Sequence, residues 1–166
     1  MASKAREVLF TGGFPLQGAS KVFETIAEHI GTLAPRYPDG EQIGWIQAQR
    51  RGLPANPALE QVPGAPTNVG GNPGFMYRLK KGMTAKDLKL GPYGYGEAAI
   101  ASYGEFKRLQ DAGKIPARTR FQATQPDPVH VATVFEGVPP DQLFPVCEAA
   151  TWREIERTVN AIPAKA

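Results

Sequence analysis

The sequence predicts a mixed α/β fold organised on a parallel sheet, and three observations carry that expectation. Short β-prone apolar runs end in loops containing Gly and Pro, longer stretches show the three- and four-residue apolar spacing of helices, and the two kinds of segment alternate. Alternating strands and helices are the pattern of βαβ units, whose functional groups gather at the C-terminal ends of the strands. With 166 residues and an apolar share of 42%, the chain reads as one domain, residues 1–166, able to bury a core.

The first run, residues 7–11, reads as a short strand that stops at Gly12-Gly13-Phe14-Pro15. Ser20 offers a capping hydroxyl to a helix over 21–33, where Val22, Phe23, Ile26, Ile30 and Leu33 share a face and Pro35 follows as a stop. Tyr37-Pro38-Asp39-Gly40-Glu41 is a turn-forming segment, and residues 43–51 have the composition of a short helix. Residues 53–74 are rich in Pro, Gly and Asn and lack periodicity, so they read as a long surface excursion. Phe75-Met76-Tyr77-Arg78-Leu79 alternates weakly, as one limb of a hairpin returning near residues 88–90. A helix over 97–112 follows from the Ala99, Tyr103, Phe106 and Leu109 stripe, with Gly113 at its C-terminal stop. Residues 120–124 form the next strand and run into Gln125-Pro126-Asp127-Pro128. Cys147, Ala150, Trp152, Ile155, Val159 and Ile162 then recur at helical spacing, which places a last helix over 143–161.

Charge and cysteine content exclude several functional classes. The 19 basic and 16 acidic residues are scattered, with no basic patch of the kind a nucleic-acid partner requires. The lone Cys147 excludes an internal disulfide or a multi-cysteine metal site, which fits a reducing cytoplasm. The first apolar run is too short for a signal peptide or a membrane span, so a soluble, cytoplasmic protein without membrane association is expected.

Several segments resemble, in order and spacing, the superfamily of cobalamin-independent methionine synthase and uroporphyrinogen decarboxylase. They are Gly12-Gly13-Phe14-Pro15 before the Val22-Phe23 helix, then Pro38-Asp39-Gly40-Glu41 with Trp45-Ile46 and Gln49. Tyr95, Ala98-Ala99, Ser102-Tyr103, Phe106, Leu109, Gly113, Ile115-Pro116 and Arg120-Phe121-Gln122 continue the likeness over nearly the whole chain. The resemblance implies a (β/α)8 barrel, of which this chain supplies the first strands and helices, with the active site at the strand ends. Where the family continues with Thr-Gly and an Arg, this chain has the shorter Gln42-Ile43-Gly44; where the family has Leu-Pro-Thr-Pro, it has Gln125-Pro126-Asp127-Pro128. A whole barrel takes about 250 residues, so the resemblance implies that a second polypeptide, or another copy of this one, completes it. Any zinc ligands would then come from that partner chain; which cofactor is used stays unknown.

The candidate site residues each have a plain structural alternative. Asp39 and Glu41 could bind a substrate amine or act as acid and base, and they equally suit a turn. Arg120 and Gln122 alternate with Phe121, so both could face a pocket and meet a ligand, or form a structural ion pair. Asp127, Tyr93 and Tyr95 could line the same pocket or serve packing, and the resemblance adds Phe14 as a substrate contact. His29 reads as a histidine at the core edge, His130 as a lone histidine near Asp127, and Cys147 as a buried thiol. The implied function is that of a component of a barrel enzyme, with methyl or other one-carbon transfer to a small molecule as the reaction class. The alternative is a non-catalytic module that assembles through an open sheet edge.

Overall fold

The computed structural model describes residues 7–11, 13–44, 46–69 and 72–166, without the side chains of 46, 65–69, 72 and 73; Gly12 and Trp45 of the resemblance lie outside the described residues. In chain order the elements are α1 (Ala19–His29), β1 (Arg36–Pro38), α2 (Ile46–Arg50), β2 (Leu59–Val69), β3 (Asn72–Leu79), α3 (Tyr95–Asp111), β4 (Arg120–Gln122), α4 (Pro128–Ala132) and α5 (Pro140–Ala161). They fall into two compact units, one of Met1–Gln42, Gly96–Thr124 and Thr158–Ala166, the other of Ile43–Tyr95 and Gln125–Arg157.

In the first unit, Val22, Phe23 and Ile26 bury one face of α1. The helix stops at His29 instead of residue 33, because Gly31 takes a left-handed φ of 51° and starts a 3-10 turn over Gly31–Leu33. The change of register turns Leu33 outward, 44% exposed, and leaves His29 exposed instead of at the core edge. Along α3 three residues of the predicted stripe, Ala99, Phe106 and Leu109, are at most 1% exposed, and the fourth, Tyr103, is half-buried against the same core. Gly113, with φ 73°, ends that helix while Lys114 N donates to Leu109 O.

The sheet of this unit is a parallel pair, with Arg36 opposite Arg120, Tyr37 opposite Phe121 and Pro38 opposite Gln122. Phe121 packs on the helices, its ring centroid 5.6 Å from those of Tyr103 and Phe106 and 6.2 Å from that of Phe23. Such edge-on aromatic pairs each contribute about 0.5–1.5 kcal/mol beyond burial, which is how two three-residue strands are held beneath α1 and α3. Residues 7–11, expected as a strand, belong to no strand: Val8 N bonds to Leu33 O, and Phe10 O accepts from the Gln122 side chain.

The second unit contains an antiparallel hairpin that corrects two expectations. Residues 59–69 of the predicted excursion form β2, which pairs with β3 from Leu59–Leu79 to Val69–Asn72, with a shift of register between Gln61 and Pro66. Pro63, Gly64 and Pro66 hide the strand from a propensity reading, and the shift absorbs them. Residues 88–90 are not the return limb; Leu88 and Leu90 are core residues with Leu53, Leu59, Tyr77, Val131, Leu143 and Cys147. Glu60 and Arg78, opposite each other across the hairpin, form a surface ion pair at 2.6 Å.

On α5 the buried face is not the one the apolar letters mark. Leu143, Cys147, Ala150, Thr151, Glu154 and Thr158 are buried, whereas Trp152 and Val159 are 53% and 63% exposed. The spacing of Leu143, Cys147 and Ala150 sets the face, and continuing it along a 3.6-residue period brings Glu154 and Thr158 inward. Among the described residues, the strands make two separate two-stranded sheets and no closed barrel. No helix among them is long and apolar enough to cross a membrane.

Candidate functional site

The first unit gathers four of the sequence-nominated residues at the C-terminal ends of β1 and β4. Asp39 N donates to Gln122 O at 3.0 Å, extending the parallel pairing by one bond beyond the strands. The chain then turns through two consecutive left-handed residues, Gly40 at φ 79° and Glu41 at φ 58°. Phe14 N donates to Gly40 O at 3.1 Å, which brings the loop after residue 11 against the turn. Gly40 has to be glycine there: a Cβ would stand 2.8 Å from Val22 Cγ2 and 3.4 Å from Phe14 Cβ.

Asp39 is 3% exposed and fully engaged in hydrogen bonds. Its Oδ1 accepts from Thr124 Oγ1 at 2.7 Å, from Thr124 N at 3.2 Å and from Glu41 N at 3.2 Å. Burial disfavours the charged form and raises its pKa, while the bonds from Thr124 and Glu41 offset part of the rise. Gln42 binds the turn from the other side, its Nε2 donating to Asp39 O at 2.7 Å and its Oε1 accepting from Gly18 N at 2.8 Å. Thus the N-terminal end of α1 and the two strand ends are joined through three side chains: Asp39, Gln42 and Thr124.

Glu41 is half-buried and is the one non-glycine residue with positive φ among the described residues. A left-handed conformation costs a residue with a Cβ about 1–2 kcal/mol, a cost glycine avoids. Backbone strain of this kind is often found at functional positions, and the hydrogen bonds of Asp39 to Thr124 and to Glu41 N hold the turn on which Glu41 stands.

Gln122, the last residue of β4, is half-buried and donates its amide to Phe10 O at 3.1 Å. The remaining nominated residues lie elsewhere. Arg120, at the N-terminal end of β4, is exposed and donates to Ala164 O at 3.3 Å. Asp127 belongs to the second unit and caps α4, its Oδ1 accepting from Val129 N at 2.6 Å, while Gln49 donates to its carbonyl. Tyr93 and Tyr95, each 3% exposed, are core residues of that unit. Burial pushes the Tyr93 phenol up and the Cys147 thiol to about 11, the mark of a thiol that stays protonated. Among the described residues, no group of three or more His, Cys, Asp and Glu side chains stands where it could hold a metal ion.

No family model, curated protein or solved structure matches this chain. The site therefore rests on its geometry. Sequence reading passed over Thr124, Gln42 and Glu154. A hydroxyl residue two positions beyond a strand, opposite an Asp just beyond its neighbour, was the signal for Thr124.

Proposed function

We propose that the chain supplies the first strands and helices of a (β/α) barrel resembling that of cobalamin-independent methionine synthase and uroporphyrinogen decarboxylase. Glu41 is its catalytic or substrate-orienting carboxylate, Asp39 the group that positions it, and Phe14 and Gln122 flank it. A small-molecule substrate carrying an amine or a transferable proton suits a carboxylate so placed, and methyl or other one-carbon transfer is the reaction class that the resemblance implies. The observation that carries the proposal is the strained Gly40-Glu41 turn at the C-terminal ends of two parallel strands, where α/β folds assemble their sites. A second polypeptide or a second copy would add the remaining strands, and a zinc ion would find its ligands on that partner.

A second reading is a non-catalytic assembly module that pairs through the sheet edge. The pair of three-residue strands favours it, since each has one neighbour among the described residues. Purification from the native host with mass spectrometry of bound chains, followed by an assay of the complex for methyl transfer to a thiol, separates the two. The enzyme reading expects a companion with Cys, His and Glu able to bind zinc, and activity that falls in Glu41→Gln. A complex without transfer activity, or one indifferent to Glu41→Gln, supports the assembly reading.

A further inference from the structure

Residues 125–152, all in the second unit, differ in charge from the rest of the chain: they include Asp127, Glu136, Asp141 and Glu148 but none of the 19 Lys and Arg residues. All four carboxylates are on exposed residues. Asp141 and Glu148 enter no ion pair among the described residues. Little cationic charge offsets the other two: His130 lies 3.9 Å from Asp127, and Arg78, the cation near Glu136, is already paired with Glu60.

An apolar groove of about 210 Å³ opens in this acidic stretch, between α4 and the start of α5. Phe135 and Leu143, both buried, make its floor, with Ala132 and Val138 beside them. That floor is strapped to β3, because Tyr77 N donates to Val134 O and Glu136 N to Tyr77 O, each at 2.8 Å. Val129 and Phe144 make the rim, 49% and 41% exposed. The Thr133 hydroxyl at the same groove already donates to His130 O at 2.7 Å, so the groove itself recognises apolar groups. A dry cavity of about 150 Å³ holds benzene, so there is room here for one large apolar side chain.

We infer that this groove docks a short basic segment of a partner protein, anchored by one large apolar side chain with Lys or Arg on either side of it. Charge complementarity identifies the occupant. On α5, Phe144 stands three residues after Asp141 and four before Glu148, so the exposed aromatic has a carboxylate one helical turn away in each direction. At the other rim Asp127 caps α4 two residues before Val129. An apolar anchor flanked by cations matches an apolar groove flanked by carboxylates, and a cation over the Phe144 ring adds to the fit. The same charge opposes the other candidates. A second copy meeting this patch about a twofold axis would set carboxylates against carboxylates, and an anionic membrane surface would repel it. The inference is independent of the carboxylate site on the first unit.

The test is an NMR titration of the full chain with three synthetic peptides: one of Lys and Ala with a single central Leu, one with Glu in place of every Lys, and one with Ser in place of the Leu. The basic Leu peptide is expected to shift the amides of Val129, Ala132, Val138 and Phe144 saturably, with an affinity that falls as salt is added. Each of the other two should bind about tenfold more weakly or less. Glu148→Lys combined with Asp141→Asn should weaken the basic peptide by about tenfold, and Phe144→Ser by a similar factor. Should Phe144→Ser fail to fold, the charge variant decides alone, since both of its positions are exposed. The acidic or Ser peptide binding as tightly as the basic Leu peptide, shifts confined to other residues, no binding, or wild-type affinity in the charge variant would each overturn the inference. So would the same amides shifting on dilution of the protein alone, with a dimer seen by sedimentation, because the groove would then belong to a second copy.

Discussion

Asp39 and Thr124 close the ends of the two parallel strands on each other: the Thr124 hydroxyl donates to Asp39 Oδ1 at 2.7 Å and its N–H to the same oxygen at 3.2 Å, across 85 residues of sequence. Removing the hydroxyl leaves a buried carboxylate short of one donor. Thr124→Val keeps the shape and the N–H, so the lost bond is isolated. Hydrogen bonds to ionised groups are worth about 1.5–3 kcal/mol, and the variant should lose stability in that range by urea unfolding. An unchanged midpoint and slope would remove Thr124 from the frame of the site.

The burial of Asp39 also fixes the sign of a pH dependence. Its pKa is raised in the folded protein, with desolvation the largest cause. The folded state therefore holds this proton more tightly than the unfolded chain does. The stability this contributes is complete below the unfolded value of about 3.9 and is lost as pH rises through the folded value. Asp39→Asn does not titrate, so wild type should lose stability relative to the variant as pH rises from about 4 toward neutrality. Urea midpoints of both proteins across that range give the slope, and a slope of opposite sign would mean that the hydrogen bonds outweigh desolvation.

A second buried carboxylate holds a loop. Glu154, 4% exposed on α5, accepts from Tyr93 N at 2.6 Å and Gly94 N at 3.3 Å. Glu154→Ala strands a buried N–H and should cost about 1–3 kcal/mol, while Glu154→Gln keeps an acceptor oxygen and should cost less. Hydrogen exchange at the Tyr93 and Gly94 amides should quicken in the alanine variant. Exchange unaltered there would show that the loop is held by packing alone.

Which features a sequence reveals depends on whether neighbours in sequence or in space decide them. The α3 stripe is readable because Ala99, Phe106 and Leu109 are apolar at inward positions, Ser102 being the buried polar residue among them. The inward face of α5 is not, since Glu154 and Thr158 take positions that a stripe of apolar letters assigns to Trp152 and Val159. β2 was hidden by Pro63 and Pro66, whose penalty falls where the pairing shifts register. For the candidate site, Asp39 and Glu41 stand out as a pair on one turn, but the Thr124 contact belongs to tertiary pairing and the positive φ of Glu41 to its backbone.

Gly40 gives a sharper test of the turn. It combines a φ of 79° with a Cβ position 2.8 Å from Val22 Cγ2, and Val22 is fully buried. Gly40→Ala should destabilise by about 2–4 kcal/mol, backbone strain and overpacking together. Gly113 has a similar φ of 73° with nothing within 4 Å of its Cβ position, so Gly113→Ala isolates the backbone part, about 1 kcal/mol. Equal losses in urea unfolding would deny the close approach of Val22 to the turn.

Glu41 is where stability and function should separate. At φ 58° its backbone favours glycine, so Glu41→Gly should stabilise the protein by about 1 kcal/mol. Glu41→Gln keeps the strained backbone and the side-chain shape, so its melting temperature should match wild type. Both variants remove the carboxylate. If that group orients or deprotonates a substrate, both should weaken ligand binding or turnover in the assembled complex by tenfold to a hundredfold, about 1.5–3 kcal/mol. Opposed responses in one residue, stability gained and function lost on going to glycine, are the signature of a side chain retained for chemistry at a strained position. Melting curves paired with turnover of the three proteins measure both. A lowered melting temperature with full activity in Glu41→Gln would make Glu41 a turn residue and move the search for the reacting group to Gln122 and Arg120.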